Sequence, residues 1–151
     1  MKILALDISS TTVGVCYDGQ PRETWKLKGD DIASRCQQAR ALLARRLQAE
    51  PDVDFVVFEE PVGKFIKAII PQACVQGAVL ALLSERSIAW RKLAPAVAKK
   101  ALTGKGNAKK PDMIAAAQQA LGGRELDEHQ ADSYGLWLAA TRINVIKEPV
   151  A

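Results

Sequence analysis

The chemistry of this chain begins with acidic residues in apolar places. Asp7 sits in the middle of KILALDI (residues 2–8), the most apolar stretch of the sequence. A carboxylate inside a buried strand is costly unless a cation meets it, either a basic side chain or a metal ion. Glu59 repeats the pattern at the end of VDFVVF (53–58), and the C-terminal ends of strands are where sites gather in open sheets. Strand side chains alternate, so Glu59, on the face of Val57, is expected at a site and its neighbour Glu60 on the opposite side. A third cluster, Asp127-Glu128-His129-Gln130-Ala131-Asp132, opens a helical pattern. There His129 and Asp132 are three apart and share a face that runs on through Leu136, Ala139 and Ile143 toward the core. Asp127 followed three residues later by Gln130 is a capping-box pattern, which accounts for Asp127 without chemistry. His129, the one histidine of the chain, is either packed into the core or a ligand.

Carboxylates from two strand ends and a helix start make an oxygen-rich set suited to Mg2+ or Mn2+, whereas zinc calls for more Cys or His. The charge distribution adds a second element. Residues 86–124 carry nine basic residues (Arg86, Arg91, Lys92, Lys99, Lys100, Lys105, Lys109, Lys110, Arg124) against one acid, Asp112, and the rest of the chain is net acidic. Such a block is either a solvated face or the footprint of an anionic polymer. Beside an acidic metal site it points to phosphodiester chemistry, in which two ions about 3.5–4 Å apart activate a water and stabilise the leaving oxygen. No competing mechanism is written in the sequence. The histidine has no nucleophilic partner, G-x-S-x-G is absent, and Gly104-Lys105-Gly106-Asn107 lacks the spacing of a phosphate loop.

These residues need elements to position them. KILALDI and VGVCY (13–17), separated by the polar break Ser9 to Thr12, predict two tightly joined strands, and Glu23 to Leu27 predicts an edge strand. From an N-cap at Asp30, Ile32, Cys36, Ala39, Leu43 and Leu47 recur every three to four residues, an amphipathic helix ended by Pro51. A buried strand at 53–58 follows. Pro71 is expected in the first turn of the next helix, with Val62 to Ile70 as a loop, and Cys74, Gly77, Ala78 and Ala81 give that helix a face of small residues able to pack closely on its own sheet or on a second subunit. Ser87 to Leu93 predicts a fifth strand, Pro95 to Leu102 a short helix, Pro111 to Gly122 another, and Asp127 to about Ile146 the last. The order implies an α/β fold, a mixed sheet with helices on its faces.

Composition agrees with a single domain. The chain has 151 residues, 48% hydrophobic and 25% charged, with a net charge of +4. A chain of this length buries roughly 68–70% of its unfolded surface, enough for a core without staples. Disordered and fibrous classes are excluded, no apolar run is expected to approach the ~18 residues of a membrane span, and the N-terminus opens as a strand rather than as a signal peptide. Cys16, Cys36 and Cys74 lie far apart in apolar patterns, which predicts buried free thiols in a reducing compartment.

The stretches LALDISSTTVGV, FVVFEEP, KKALTGKGNAKK and DEHQADSYGLWLA resemble, in the same order, the motifs of the RuvC-type Holliday junction resolvases of the RNase H-like superfamily. The resemblance spans nearly the whole chain and implies one RNase H-like domain over 1–151, with a five-stranded mixed sheet, three antiparallel strands then parallel ones, and helices on both faces. It implies a homodimeric, Mg2+-dependent endodeoxyribonuclease that resolves four-way DNA junctions by paired symmetric nicks, in the cytoplasm of a cell or of a virus's host and with no membrane partner. By motif position Asp7 would bridge two ions, Glu59 would hold one and Asp132 the other. His129 would occupy the ligand position three residues before the final Asp, where an imidazole makes Mn2+ well tolerated. Lys99 and Lys110 fall where the family has basic residues near the DNA backbone, with Lys109 the alternative to Lys110 as a phosphate contact and Lys105 in the same stretch. The segment VGKFIKAII (62–70) corresponds to a junction-probing loop whose apolar wedge is Phe65 or Val62.

Three other readings remain from the sequence. Asp7 to Gly14 also looks like the phosphate loop of actin-like ATPases and sugar kinases, which need two such domains. The chain could be an RNase H-like nuclease acting on RNA or other branched DNA, or a silent DNA-binding module, against which the intact acidic set argues.

Overall fold

The computed structural model describes residues 1–143. In chain order it forms β1 (Lys2–Ile8), β2 (Thr12–Tyr17), β3 (Gln20–Lys26), α1 (Ile32–Ala49), β4 (Val53–Glu59), α2 (Ile66–Glu85), β5 (Ala89–Leu93), α3 (Pro95–Thr103), α4 (Lys110–Ala120) and α5 (Glu128–Ile143). The strands make one sheet in the order β3-β2-β1-β4-β5. β1 and β2 pair antiparallel with Asp7 opposite Gly14, β2 and β3 continue the meander, and β4 and β5 run parallel to β1 and to each other. This is the mixed α/β sheet the sequence predicts, with β3 at an edge.

The alternation of strand residues divides the core in two. Leu4, Leu6, Ile8, Val13, Val15, Val56 and Phe58 face α1 and α2, packing on Ala39, Leu43, Leu47, Val75, Val79 and Leu83. Ile3, Ala5, Cys16, Phe55 and Val57 face the other way, onto Ala98, Ala117, Ala131, Leu136 and Ala139 of α3, α4 and α5. By the same period of two, Asp7 and Glu59 belong to this second face.

The β1–β2 turn is held from inside. The Ser9 hydroxyl accepts from the amides of Thr11 and Thr12, at 3.2 and 2.9 Å, while the Ser9 amide donates to the Thr12 carbonyl. Asp31, one residue beyond the expected cap, caps α1 by accepting from the Ser34 amide at 2.8 Å. The capping box at α5 is present in both directions: the Gln130 amide donates to Asp127, and the Asp127 amide donates to the Gln130 side chain.

Several expectations need correction. α2 begins at Ile66, five residues before Pro71, which lies inside the helix. Proline there forfeits the bond to the carbonyl of Lys67, and Lys67 is exposed, so water can take the donor's place. α2 is also long and apolar enough, by length and composition, to cross a membrane, contrary to the expectation that no run approaches that length. One side of it is core. On the other, Cys74, Gly77 and Ala81 are exposed, as are Ile66 and Ile70, so the small-residue face turns away from the sheet. Of the three free cysteines Cys16 is buried, Cys36 partly so, and Cys74 is exposed rather than buried. β3 starts three residues earlier than expected and β5 two residues later. Ile143 is exposed, so the inward stripe of α5 stops short of it. The expected continuation to Ile146 lies outside the described residues.

Candidate metal centre

Asp7 comes from the centre of the sheet, one residue before the end of β1, and Glu59 is the last residue of the adjacent β4. Asp132 and His129 come from the first turns of α5, which packs across β1 and β2. That approach depends on a missing side chain. A Cβ on Gly14 would stand 2.1 Å from the His129 carbonyl oxygen, so only glycine lets α5 seat at this depth.

His129 Nδ1 lies 2.9 Å from Asp7 Oδ2. Its other nitrogen, Nε2, is 3.2 Å from the Thr12 hydroxyl and 3.5 Å from Glu128 Oε1. An ionised carboxylate only accepts, so Nδ1 carries the proton toward Asp7. The Asp7 contact is also the main reason that the His129 pKa is raised, ahead of the opposing effect of burial.

On the other two carboxylates burial and the neighbouring Asp7 act in the same direction. Burial pushes the Glu59 pKa up to about 7, with repulsion from Asp7 and then Asp132 adding to it and Lys99 opposing. Burial likewise pushes Asp132 up to about 6, reinforced by Asp7 and opposed by His129 and Lys110. Half-buried carboxylates kept protonated by burial and by a neighbouring negative charge are a set short of positive charge.

In front of them is a cleft of about 460 Å³ lined by Glu59, Asp132, Lys99, Lys109, Lys110, Asn107, Ala98, Ala108 and Met113. Lys110 reaches Glu128 at 2.7 Å, and its charge is felt by Asp132 and Asp7 as well. Asp112 accepts from the Lys109 amide at 3.1 Å, fixing the start of α4 and with it the position of both lysines.

The structure therefore brings together Asp7, Glu59, His129, Asp132, Lys99, Lys109 and Lys110. It leaves two other candidates apart. Lys105 is exposed in the α3–α4 loop, where its amide donates to the Thr103 hydroxyl. Phe65 is 73% exposed at the start of α2, among Lys64, Ile66, Lys67 and Ala68. Glu60 is exposed, one residue beyond the end of β4. Two participants escaped the sequence reading. Thr12 is legible in hindsight from strand parity, since it shares a face with Gly14 and Cys16; Asn107 carried no signal.

The donor set fits a hard divalent cation, being three carboxylates with one imidazole. Among the described residues no three His, Cys, Asp or Glu side chains already surround one point closely enough to hold an ion. Asp7 spends an oxygen on His129, and a cation at the carboxylates would compete for that oxygen.

No family model matches the chain, and no curated protein does. Solved structures do. The chain superimposes on Thermus thermophilus RuvC with a TM-score of 0.80 at 20% identity, covering 99% of this chain and 100% of that one. T. thermophilus RuvC in complex with a Holliday junction substrate gives 0.83 at 21%, covering 99% of both chains. The yeast mitochondrial Holliday junction resolvase gives 0.62 at 10%, over 95% of this chain and 78% of that one. The chain has the RNase H-like fold of these proteins.

Proposed function

We propose that this chain is a divalent-metal-dependent endonuclease that resolves four-way DNA junctions by nicking two opposed strands, acting as a homodimer. The observation that carries the reading is the carboxylate set Asp7, Glu59 and Asp132, of which Glu59 and Asp132 line one cleft with Lys99, Lys109 and Lys110. Carboxylates at strand ends beside lysines suit a phosphodiester better than any neutral substrate. The likeness to a RuvC solved with a Holliday junction substrate supports branched DNA as the partner.

Two Mg2+ or Mn2+ ions, when bound, would supply a water activated for attack and charge on the leaving oxygen. Asp7, central to the set, would be shared between them, with Glu59 on one side and Asp132 on the other. His129 would join by turning Nδ1 from Asp7 toward an ion, its Nε2 then donating to Thr12. Lys99 and Lys110 would hold the scissile phosphate, Lys110 by exchanging Glu128 for it, while Lys109 and Lys105 extend the contact along the backbone. Phe65 or Val62, both exposed at the entrance to α2, would wedge between bases.

One chain carries one such centre, so two nicks call for two chains. The exposed face of α2, with Ile66, Ile70, Cys74, Gly77 and Ala81, is the surface offered to the second copy; a Cβ on Gly77 would meet nothing within 4 Å, so a partner helix could approach closely.

The deciding experiment offers a synthetic four-way junction, a Y-fork, a duplex and an RNA–DNA hybrid with Mg2+ and with Mn2+. Symmetric paired nicks confined to the junction are expected. Cleavage of the hybrid or the fork at comparable rates would replace junction resolution by a broader nuclease activity, and no cleavage of any would remove the enzyme reading. Light scattering should give twice the chain mass.

A further inference from the structure

The side of α2 that faces the sheet carries two glutamines whose hydrogen bonds do not go to other side chains. Gln72 Nε2 donates to the carbonyl oxygen of Ile8 at 2.9 Å, and Gln76 Nε2 donates to that of Glu59 at 2.8 Å. A carbonyl only accepts, so the orientation of both amides is fixed by chemistry. Ile8 follows Asp7 in β1, and Glu59 ends β4. The two bonds therefore grip the two strands that carry carboxylates of the candidate centre, at the end where the centre lies.

At that end β1 and β4 are each paired on their outer sides, Asp7 with Gly14 and Glu59 with Leu93, but the pairing between the two strands has stopped. The parallel ladder between β1 and β4 runs from Lys2 with Val53 to Leu6 with Phe58 and stops one residue short of Asp7 and Glu59. Gln72 and Gln76 are four residues apart on one helix face, about 6 Å along the axis, comparable to the roughly 4.8 Å between neighbouring strands. A single helix face can thus span both strand ends where the direct β1–β4 pairing has ended.

Gln76 is 1% exposed, and its Oε1 has no partner. An unpaired buried acceptor is a stability cost that an apolar side chain of the same length would not carry. Its return is the bond to Glu59.

We propose that Gln72 and Gln76 are positioning residues that set the separation of Asp7 and Glu59, and so the metal affinity of the centre. This rests on the metal reading above. Hydrogen-bond partners of metal-ligand side chains typically change metal affinity or activity by about 10–100-fold when lost, and Gln72 and Gln76 act one step further out, on the backbone that carries the ligands.

The test uses Gln72→Met, Gln76→Met and the double variant of the full chain, since methionine keeps the length and removes the donor. In the metal-free protein, amide hydrogen exchange at Ser9 and Glu60 reads the clamp itself. Calorimetric titration with Mn2+ reads its consequence, and cleavage turnover is compared with junction binding. The expected result is faster exchange at Ser9 and Glu60, Mn2+ binding weakened about 10-fold or more, turnover reduced with junction binding unchanged, and a thermal midpoint within a few degrees of wild type. Gln72 is only half-buried, so its variant folds even where the Gln76 variant does not. Unchanged exchange, or Mn2+ binding equal to wild type, overturns the proposal. A wild-type chain that itself takes no Mn2+ overturns the metal reading and this role with it; failure of the clamp alone is told apart because there the wild type binds and the variants match it.

Discussion

Gly14 and His129 are in contact through backbone: the position a Gly14 Cβ would occupy lies 2.1 Å from the His129 carbonyl oxygen. Gly14 is also the register partner of Asp7 on the neighbouring strand. The absence of one side chain thus decides how deeply α5 sits and where His129 and Asp132 stand relative to Asp7.

Gly14→Ala should therefore push α5 outward. The overlap is with backbone, which cannot rotate away, and overpacking of this kind costs roughly 1–3 kcal/mol. A lower melting temperature is expected, together with a loss of cleavage larger than the loss of folded protein at the assay temperature. Thermal melts run beside cleavage assays check this. A variant as stable and as active as wild type would mean that α5 does not pack as described.

Asp7→Asn and Asp132→Asn each remove a charge from the centre without altering the basic surface. Cleavage of a four-way junction should fall by several orders of magnitude, while junction binding in a gel-shift assay stays within a few-fold. Either variant cutting at the wild-type rate would refute the assignment of the centre.

Stability of the metal-free protein should fall as the pH rises above 5. Glu59 and Asp132 have pKa values raised to about 7 and about 6 from ordinary values of 4.5 and 3.8, chiefly by burial. The folded state therefore holds protons that the unfolded state has released, and stability declines through this interval. His129, raised mainly by its bond to Asp7, acts in the same sense: its contribution is present below pH 6.5 and lost as the pH rises through its folded value. The carboxylates with lowered pKa values, Glu23, Asp31, Asp52, Glu85 and Glu128, give stability that is complete above about pH 5, so they do not mask the trend. Melting temperatures between pH 5 and 8 should decline for wild type and decline less for Glu59→Gln. Mg2+ or Mn2+ should raise the midpoint more at pH 7.5 than at pH 5, because the ions bind the ionised set. A flat profile would show that Glu59 and Asp132 are not held protonated in the folded state.

Junction affinity should fall steeply with salt, since lysines on phosphates release counterions. If Lys109 contacts a phosphate, Lys109→Ala should reduce the slope of log K against log salt by about 0.9. Binding measured by anisotropy from 50 to 300 mM salt provides the slope. A salt-independent affinity would argue against a nucleic-acid partner.

Asp7 and Glu59 are readable from sequence because each breaks an apolar strand run, and a period of two puts Glu59 on the face of Val57, while the sheet brings Asp7 to that same face. Asp132 and His129 were readable because a spacing of three puts them on one side of a helix. The start of α2 was misplaced because proline at Pro71 was assigned to a first turn, and a solvent-facing turn tolerates the missing donor. Burial of Cys74 was misjudged for a related reason. An apolar helix pattern does not say which of its sides meets the sheet when both sides are apolar.

The elements, their order and the parity of their side chains follow from local spacing of apolar residues and from backbone preferences, and so are written in the chain itself. So are the chemical types present, carboxylates with lysines and a single histidine. Which of them meet is a matter of the folded packing. The contact of His129 with Asp7 joins residues 122 positions apart, and the grip of Gln72 and Gln76 on Ile8 and Glu59 spans 64 and 17. Contacts of this range depend on how α5 and α2 seat on opposite faces of the sheet, which is settled by the packing of two cores and by the missing side chain at Gly14, and no local pattern encodes them.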